Sequence, residues 1–290
     1  MNKTLMIVGV ALALTLSLYA QSAQKVIYAD KQQIDDFFTS KTMVVMDANP
    51  MIGYNIVIDD AVKKYWSITP FEIITSAQFD KMCTDPKLSF IFLSKVQLEK
   101  DKEEVYYLYM NIVMGGAKVK DLMDMPELLS LPLAYTGVDE DDYVDKLPLM
   151  VRFAQVHLNN LKTAKNPKTL YNLKNYNAES KLLKDKTLLV KESDLAEEVN
   201  TLEKIQKEYP GVVKIVTSEE MVKAIEEKTP DTAVLHQVGP GEDENKGRSY
   251  REIFGADDAK LYYYNHQTIT QRRPAGMLAR DFRLILGKWF

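Results

Sequence analysis

Short apolar runs alternate with amphipathic stretches along the first half of the chain. Residues 41–46, 71–75 and 89–93 are apolar runs rich in β-branched and aromatic residues, and turn-forming residues bound each of them. Between the first two runs, apolar residues recur at helical spacing up to Trp66. Bounded runs of this length are typical of strands, and i, i+3, i+4 spacing is typical of helices. The pattern therefore predicts strands separated by helices, followed by a further strand over residues 105–114.

The second half of the chain repeats this order. Residues 186–190 and 212–217 are predicted strands, with an amphipathic helix between them. In each half a serine directly follows the second strand, and we expect Ser76 and Ser218 to cap the next helix. A third strand and a tyrosine-rich strand then complete each half, and the second half ends in a predicted helix over residues 277–286.

The repeated order predicts the fold class. We expect an α/β protein of two related β-α-β-α-β-β lobes that arose by internal duplication; chance similarity between α/β segments is the alternative. Strands that alternate with helices favour mixed, largely parallel sheets. The tyrosine-rich strands, residues 106–109 and 261–264, would be added antiparallel. Residues 147–161 carry a wide apolar stripe, which predicts a helical linker that packs across both lobes.

The first residues have the pattern of an export signal. Lys3 precedes a run without charge over residues 5–20, and small residues follow at Ala20 and Ala23. A core of about 16 apolar residues is shorter than the roughly 20 that a membrane-spanning helix needs. We therefore expect cleavage after Ala20 or Ala23, a periplasmic or secreted protein, and no integral membrane span after cleavage. An uncleaved membrane anchor is the alternative.

Composition and charge narrow the class of partner. The chain has 290 residues and a formal net charge of −4. Such a chain has no long-range attraction for nucleic acid, so none is expected as a partner.

Cys83, the only cysteine, lies on the apolar side of a predicted helix, which favours buried packing over a reactive or pairing thiol. The predicted division is a signal peptide at 1–23, a first lobe at 24–135, an acidic turn and helical linker at 136–180, and a second lobe at 181–290.

A glycine-rich loop over residues 239–249 follows a predicted strand, as phosphate-binding loops do. A Walker loop has four residues between its glycines and then Gly-Lys-Ser or Gly-Lys-Thr. Here five residues separate Gly241 from Gly247, Arg248 takes the place of the lysine, and three carboxylates lie inside the loop. These carboxylates would repel phosphate, so a hairpin connection is the preferred interpretation.

An acidic run suggests calcium ligands, because Asp139, Asp141 and Asp145 have alternating spacing. An EF-hand loop also requires glycine at its sixth position and glutamate at its twelfth. Val144 and Met150 occupy those positions. A solvated acidic turn before the linker helix is therefore favoured, and an irregular calcium site is the alternative.

Three histidines could supply chemistry. His157 lies on the linker helix, whereas His236 and His266 lie on strands and could converge if those strands are neighbours. No HxH, HxxxH or HxxE spacing offers a further metal ligand, and no GxSxG elbow marks a nucleophile. We therefore predict no catalytic residue, no cofactor-binding residue, no metal ligand and no cofactor.

The chain contains 16 tyrosines, several of them on the last predicted strand of each half. Tyrosine rings can pack against a helix with their hydroxyl groups at the edge. Exposed tyrosines can instead form a surface for a protein partner. The sequence leaves both interpretations open.

The segments KTLLV, VKIVTSEEM and TAVLHQV, with helices between them, are similar to the α/β domains of bacterial envelope proteins such as the TolB amino-terminal domain and the curli-secretion protein CsgG. The resemblance covers the order of elements only. The lipidation cysteine and membrane hairpins of CsgG and the propeller of TolB are absent, so neither activity carries over. The full chain resembles uncharacterised exported envelope proteins of anaerobic bacteria, a group without a function to transfer.

Two hypotheses of function follow. The first is a non-enzymatic periplasmic or secreted protein that acts as an interaction or scaffold component of the cell envelope and binds another envelope protein. The second is a small-ligand binder or hydrolase with its site in the cleft between the lobes, because α/β sheets place ligands at the carboxyl ends of parallel strands. Thr75-Ser76 and Thr217-Ser218 would then face this cleft.

Overall fold

The computed structural model describes residues 26–98, 105–240 and 246–287. The predicted signal peptide lies outside the described residues, as do residues 241–245 of the glycine-rich loop. The described residues form a mixed α/β protein with two five-stranded sheets. None of its described helices has the length and apolar character needed to span a membrane.

The described part of the first half, residues 26–98 and 105–163, contains five strands and four α-helices. Its elements, in chain order, are α1 (Lys31–Phe37), β1 (Lys41–Val45), α2 (Gly53–Tyr65), β2 (Phe71–Ile74), α3 (Ser76–Met82), β3 (Leu88–Gln97), β4 (Tyr106–Met114), β5 (Glu127–Tyr135) and α4 (Leu147–Thr163).

The second half begins with a 3-10 segment and again contains five strands. Its elements are the 3-10 segment (Leu173–Asp185), β6 (Thr187–Val190), α5 (Leu202–Glu208), β7 (Val213–Ile215), α6 (Ser218–Glu226), β8 (Thr232–Val238), β9 (Arg248–Gly255), β10 (Leu261–Thr268) and α7 (Ala279–Ile285).

The two sheets have the same strand order and the same strand directions. The first sheet has the order β2-β1-β3-β4-β5, and the second has the order β7-β6-β8-β9-β10. In the first, β1 pairs in parallel with β2 and β3, and the β3-β4 and β4-β5 pairs are antiparallel. In the second, β6 pairs in parallel with β7 and β8, and β8, β9 and β10 are antiparallel. The α/β class with mixed sheets is therefore confirmed. The expectation of largely parallel sheets was wrong, because each sheet has two parallel and two antiparallel pairs.

Each half has one strand more than the four predicted. The missed strands are β5, which contains Pro132, and β9, which carries Arg251 and Glu252. Proline and charged residues both break the apolar pattern from which strands are predicted. The tyrosine-rich strands β4 and β10 consequently do not hold equivalent positions, because β4 is the fourth strand of its sheet and β10 is the fifth.

The helices that follow β2 and β7 begin with the same capping arrangement. The side chain of Thr75 accepts a hydrogen bond from the backbone N–H of Gln78, and the Gln78 side chain accepts one from the backbone of Thr75. Thr217 and Glu220 do the same in the second half. Threonine in extended conformation can satisfy the free N–H groups of the first turn. The predicted caps, Ser76 and Ser218, are instead the first helical residues.

Helix α4 contacts both halves of the molecule. It packs against α1 and α2, and it also contacts α6. The ring of Phe153 lies 5.1 Å from that of Phe254 on β9, centroid to centroid. The buried Arg152 side chain donates to the carbonyl oxygens of Ile225 (3.4 Å), Ala256 (2.9 Å) and Asp257 (2.6 Å). This guanidinium therefore ties α4 to the second half.

The tyrosines of β4 lie where the halves meet, whereas Tyr262 and Tyr263 of β10 are buried in the core of the second half. The hydroxyl of Tyr109 donates to that of Tyr250 over 2.9 Å, and the hydroxyl of Tyr107 accepts from the backbone N–H of Arg248 over 2.7 Å. Tyr107 and Tyr250 are buried, and their rings meet edge to face at 5.7 Å. These tyrosines therefore form internal contacts rather than an open surface.

Replacement of Arg152 should weaken the whole fold. In Arg152→Met, three carbonyl oxygens lose a charged donor, and we expect the free energy of unfolding to fall by about 2–3 kcal/mol. Urea unfolding would measure this change. The exposed Asn159 on the same helix gives the control, because Asn159→Ala should change stability by no more than about 0.5 kcal/mol. Equal effects of the two variants would contradict a special role for Arg152.

Candidate functional site

A cavity of about 940 Å³ lies between the two halves, and we call it the cleft. The first half contributes the end of β5 and the acidic turn around Asp142. The second half contributes residues 191–197, which follow β6, and residues 238–240 at the end of β8. Because β6 and β8 are parallel, their carboxyl ends meet at one edge of the sheet, where α/β proteins commonly bind ligands.

A charged cluster joins the two halves in the cleft. The Lys191 ammonium of the second half lies 3.0 Å from Asp142 Oδ1 of the first half. The buried Lys146 donates to the backbone carbonyl of Asp142 over 3.2 Å. Burial alone would lower the pKa of Lys191, but Asp194 and the hydrogen bond to Asp142 raise it above its usual value. Lys191 is therefore held in its cationic form.

Asp194 is the most unusual residue of the cleft. It lines the cavity, yet only 5% of the residue is exposed. Its Oδ2 atom is buried and has no hydrogen-bond partner among the described residues. Burial raises the pKa of this carboxyl, while the charges of Lys146 and Lys191 act in the opposite direction. Because buried polar atoms are nearly always paired, Oδ2 marks a place for a hydrogen-bond donor from outside the chain.

A close contact between two backbone segments fixes the position of Asp194. The backbone carbonyl of Asp194 accepts from the N–H of Met277 over 2.8 Å, and the carbonyl of Met277 accepts from the N–H of Ala196 over 3.0 Å. Gly276 precedes this contact with a φ of +86°, and a Cβ there would lie 2.9 Å from the backbone N of Ala196. Glycine is required because another residue would be strained and would push the segments apart.

The residues predicted to face the cleft do not line it. Thr75 and Ser76 line a separate cavity of about 590 Å³ at the carboxyl ends of β1 and β2, together with Asp59. Neither Thr217 nor Ser218 is among the residues that line the cleft. This expectation was wrong, because the cleft lies at the ends of β6 and β8, whereas Thr217 follows β7.

The predicted acidic turn has a different role from a calcium loop. Two short 3-10 turns, Glu140–Asp142 and Val144–Lys146, occupy this segment. Asp142 reaches the cleft, whereas Glu140 accepts a hydrogen bond from the backbone N–H of Gly53 over 2.6 Å. Of the proposed ligands Asp139, Asp141 and Asp145, none lines the cleft.

The three histidines lie apart from the cleft. His157 is buried on α4, where Nδ1 lies 2.9 Å from the Tyr176 hydroxyl and Nε2 lies 3.0 Å from the Leu128 carbonyl oxygen. Burial lowers the pKa of His157 to about 4. His236 and His266 lie on β8 and β10, which β9 separates, so these strands are not neighbours. Within residues 26–98, 105–240 and 246–287, no group of three or more His, Cys, Asp or Glu residues is arranged to hold a metal ion.

Cys83 is only partly buried, at the end of α3. Its thiol donates to the backbone carbonyl of Asp80 over 3.6 Å, and its side chain packs against the cluster around Phe79 and Phe90. Burial raises the pKa of this thiol. Its surroundings therefore favour packing over nucleophilic chemistry.

Sequence patterns did not identify the residues that form the cleft. Lys191 and Asp194 line the cleft and Lys146 lies beside them; they belong to no recognised motif, and they converge only when the two halves pack together. One sequence feature could have indicated a site here, because Lys191 directly follows a predicted parallel strand, where α/β proteins commonly bind ligands. Comparisons with protein-family models, curated proteins and solved structures found no match. The similarity to the TolB and CsgG domains therefore stays a prediction, and the function must be argued from the site.

A buried carboxyl lies on the face of the second sheet that meets the first half. Glu252 on β9 is fully buried, and its register partners are His236 on β8 and Tyr264 on β10. Neither carboxyl oxygen has a hydrogen-bond partner in the described part of the chain. Burial raises the pKa of Glu252 well above its usual value, so the folded protein holds this carboxyl neutral.

The raised pKa of Glu252 predicts a pH-dependent effect of Glu252→Gln. Above about pH 4.5 the unfolded chain ionises this carboxyl while the folded chain does not, so the wild type loses stability as pH rises. The amide does not titrate. Glu252→Gln should therefore gain stability relative to wild type as the pH rises from about 4 to about 8, because only the wild type loses stability over this range. Urea unfolding at both pH values measures the difference. The exposed Glu226→Gln is the control. A stability difference between Glu252→Gln and the wild type that does not change with pH would refute the explanation.

Proposed function

We propose that this chain is a non-enzymatic protein that binds a small ligand in the cleft between its halves. The buried and unpartnered Oδ2 of Asp194 at the cavity wall carries the proposal. Small-molecule sites commonly have volumes of roughly 300–1,000 Å³ and a few well-placed polar groups. The cleft, at about 940 Å³, is within that range.

The charges of the cleft favour a ligand that carries an amino or ammonium group. Its lining includes the carboxylates of Asp142, Glu192, Asp194 and Glu197 and one cationic side chain, that of Lys191. Asp142 pairs with Lys191, and the charges of Lys146 and Lys191 also act on Asp194, so Glu192 and Glu197 are the lining carboxylates without an ion-pair partner in the described chain. An ammonium donor would also supply the missing partner of Asp194 Oδ2.

The same residues support binding rather than catalysis. No histidine is among the residues that line the cleft, and Lys191 is held cationic by its carboxylate neighbours. A general base needs a pKa near the working pH and a nucleophile within hydrogen-bond reach. A hydrolase with its site in this cleft therefore has less support than a binding protein.

A role as an envelope interaction or scaffold component is the second candidate. The tyrosines that suggested a partner surface pack at the junction of the halves or in the core of the second half, so they no longer support it. Exposed apolar residues support the interaction role instead. Met51 is 86% exposed, and Ile56 on α2 is 65% exposed. Neighbouring exposed apolar side chains are typical of protein contact surfaces.

We also propose that the two halves arose by internal duplication. Matching strand order, matching strand directions and the matching Thr75 and Thr217 caps support this origin. Helix α4 follows β5 and packs against α2, as α7 follows β10 and packs against α5. On this proposal α4 is the last helix of the first unit as well as a contact to the second.

The cleft proposal is tested by ligand binding to the wild type and to Asp194→Asn. A panel of amino acids and polyamines would be screened by thermal shift, and the hits would be titrated by calorimetry. We expect at least one amine to bind, and we expect Asp194→Asn to weaken it by about tenfold or more, because a charged hydrogen bond is lost. Asp59→Asn, in the separate cavity, is the matched control and should leave the affinity unchanged. Equal affinity for the wild type and Asp194→Asn would reject the site.

Export is proposed from the predicted signal peptide, and it has its own test. The full chain would be expressed in a bacterium, and the protein recovered outside the cytoplasm would be analysed by intact mass and N-terminal sequencing. Cleavage after Ala20 or Ala23 predicts a mature chain that begins at Gln21 or Gln24. A chain that retains residues 1–23, or that stays in the cytoplasm, would contradict export by cleavage.

A further inference from the structure

A second cavity, of about 660 Å³, lies on the second half between the 3-10 segment, β10 and α7. Its lining includes four cationic side chains, those of Lys174, Lys181, Arg273 and Arg280, and no carboxylate among the described residues. We call it the basic groove. We propose that the basic groove is a binding site for a phosphate group, carried by a soluble molecule or by a lipid headgroup.

The four cations of the basic groove are free to bind an anion. Within the described ranges, none of them takes part in an ion pair, and none donates a side-chain hydrogen bond. This concentration of positive charge contrasts with the formal net charge of −4 for the whole chain. Like charges collected in a concave site create a field that attracts anions.

Lys174 lies close enough to Arg280, and to Arg251 behind the groove, for their charges to act on it. Burial, followed by the charges of Arg251 and Arg280, lowers the pKa of Lys174. Mutual repulsion of this kind is relieved when an anion binds.

Two further side chains, one behind the groove and one within it, each have a buried nitrogen atom without a hydrogen-bond partner among the described residues. Arg251 is fully buried on β9, opposite the groove residue Asn265 on β10. Its Nε atom lies 3.2 Å from Asp281 Oδ2, but its Nη2 atom has no hydrogen-bond partner in the described chain. His266 lines the groove, and its buried Nδ1 atom likewise has no partner there. The unpaired Nη2 atom of Arg251 is a donor and points to an external acceptor, and Nδ1 of His266 can donate as well in one of its two tautomers.

The donor set favours phosphate over a single carboxylate. Guanidinium groups bind oxyanions through two parallel hydrogen bonds, and lysine adds a point charge. Two arginines and two lysines around one cavity exceed what a singly charged carboxylate can neutralise. A phosphate group carries up to two charges and several acceptor oxygens. The basic groove is separate from the cleft, so this proposal does not depend on the amine-binding proposal.

The test compares wild type with Lys174→Gln/Arg280→Gln. Inorganic tripolyphosphate would be titrated by calorimetry into the full chain, and vesicles of phosphatidylglycerol or phosphatidylcholine would be tested by co-sedimentation. The control is Lys207→Gln/Lys223→Gln, which makes the same change of charge at side chains that are 67% and 72% exposed on α5 and α6. We expect saturable binding that the groove variant weakens by about tenfold or more and the control leaves nearly unchanged.

The arms of the experiment separate the sources of phosphate. Binding of tripolyphosphate without binding to phosphatidylglycerol vesicles supports a soluble ligand, and groove-dependent binding to those vesicles supports a headgroup. Arg273→Gln serves as a second variant if the double variant does not fold. Absence of saturable binding in both arms, or equal losses in the groove and control variants, would overturn the proposal.

Discussion

The packing of one half against the other is the constraint on which the candidate site depends. Arg152 reaches from α4 to three carbonyl oxygens of the second half, and Tyr107 and Tyr109 meet Arg248 and Tyr250 across the junction. These contacts keep Asp142 of the first half within 3.0 Å of Lys191 of the second. A cleft built from both halves exists only while this junction holds, because neither half alone supplies its walls.

The fold could be predicted from the sequence further than the site could. Apolar periodicity identified β1, β2, β3, β4, β6, β7 and β8, because each is a short apolar run between turn residues. Apolar periodicity did not identify β9, because Arg251 and Glu252 are polar although both are buried in the strand. The tyrosine-rich strands were recognised, but their burial was not, because sequence alone does not reveal which sheet face meets the other half. Asp142 and Lys191 of the cleft are 49 residues apart along the chain, and only tertiary packing brings them together.

The molecule separates its charges into two regions with opposite preferences. The cleft gathers carboxylates around Asp194, whereas the basic groove gathers Lys174, Lys181, Arg273 and Arg280. Each region also contains a buried polar atom without a partner, Asp194 Oδ2 in one and His266 Nδ1 in the other. Burying such an atom costs free energy unless it finds a partner, and this cost is one of the observations on which both binding proposals rest.

The central claim is that the cleft between the halves is a ligand site organised around Asp194. A crystal structure of the chain in complex with an amine selected by thermal shift tests it most directly. The account predicts the amine in the cleft, with its nitrogen within hydrogen-bond distance of Asp194 Oδ2 and with Asp142 still paired to Lys191. An amine bound elsewhere, or halves arranged so that Asp142 and Lys191 lie apart, would contradict it.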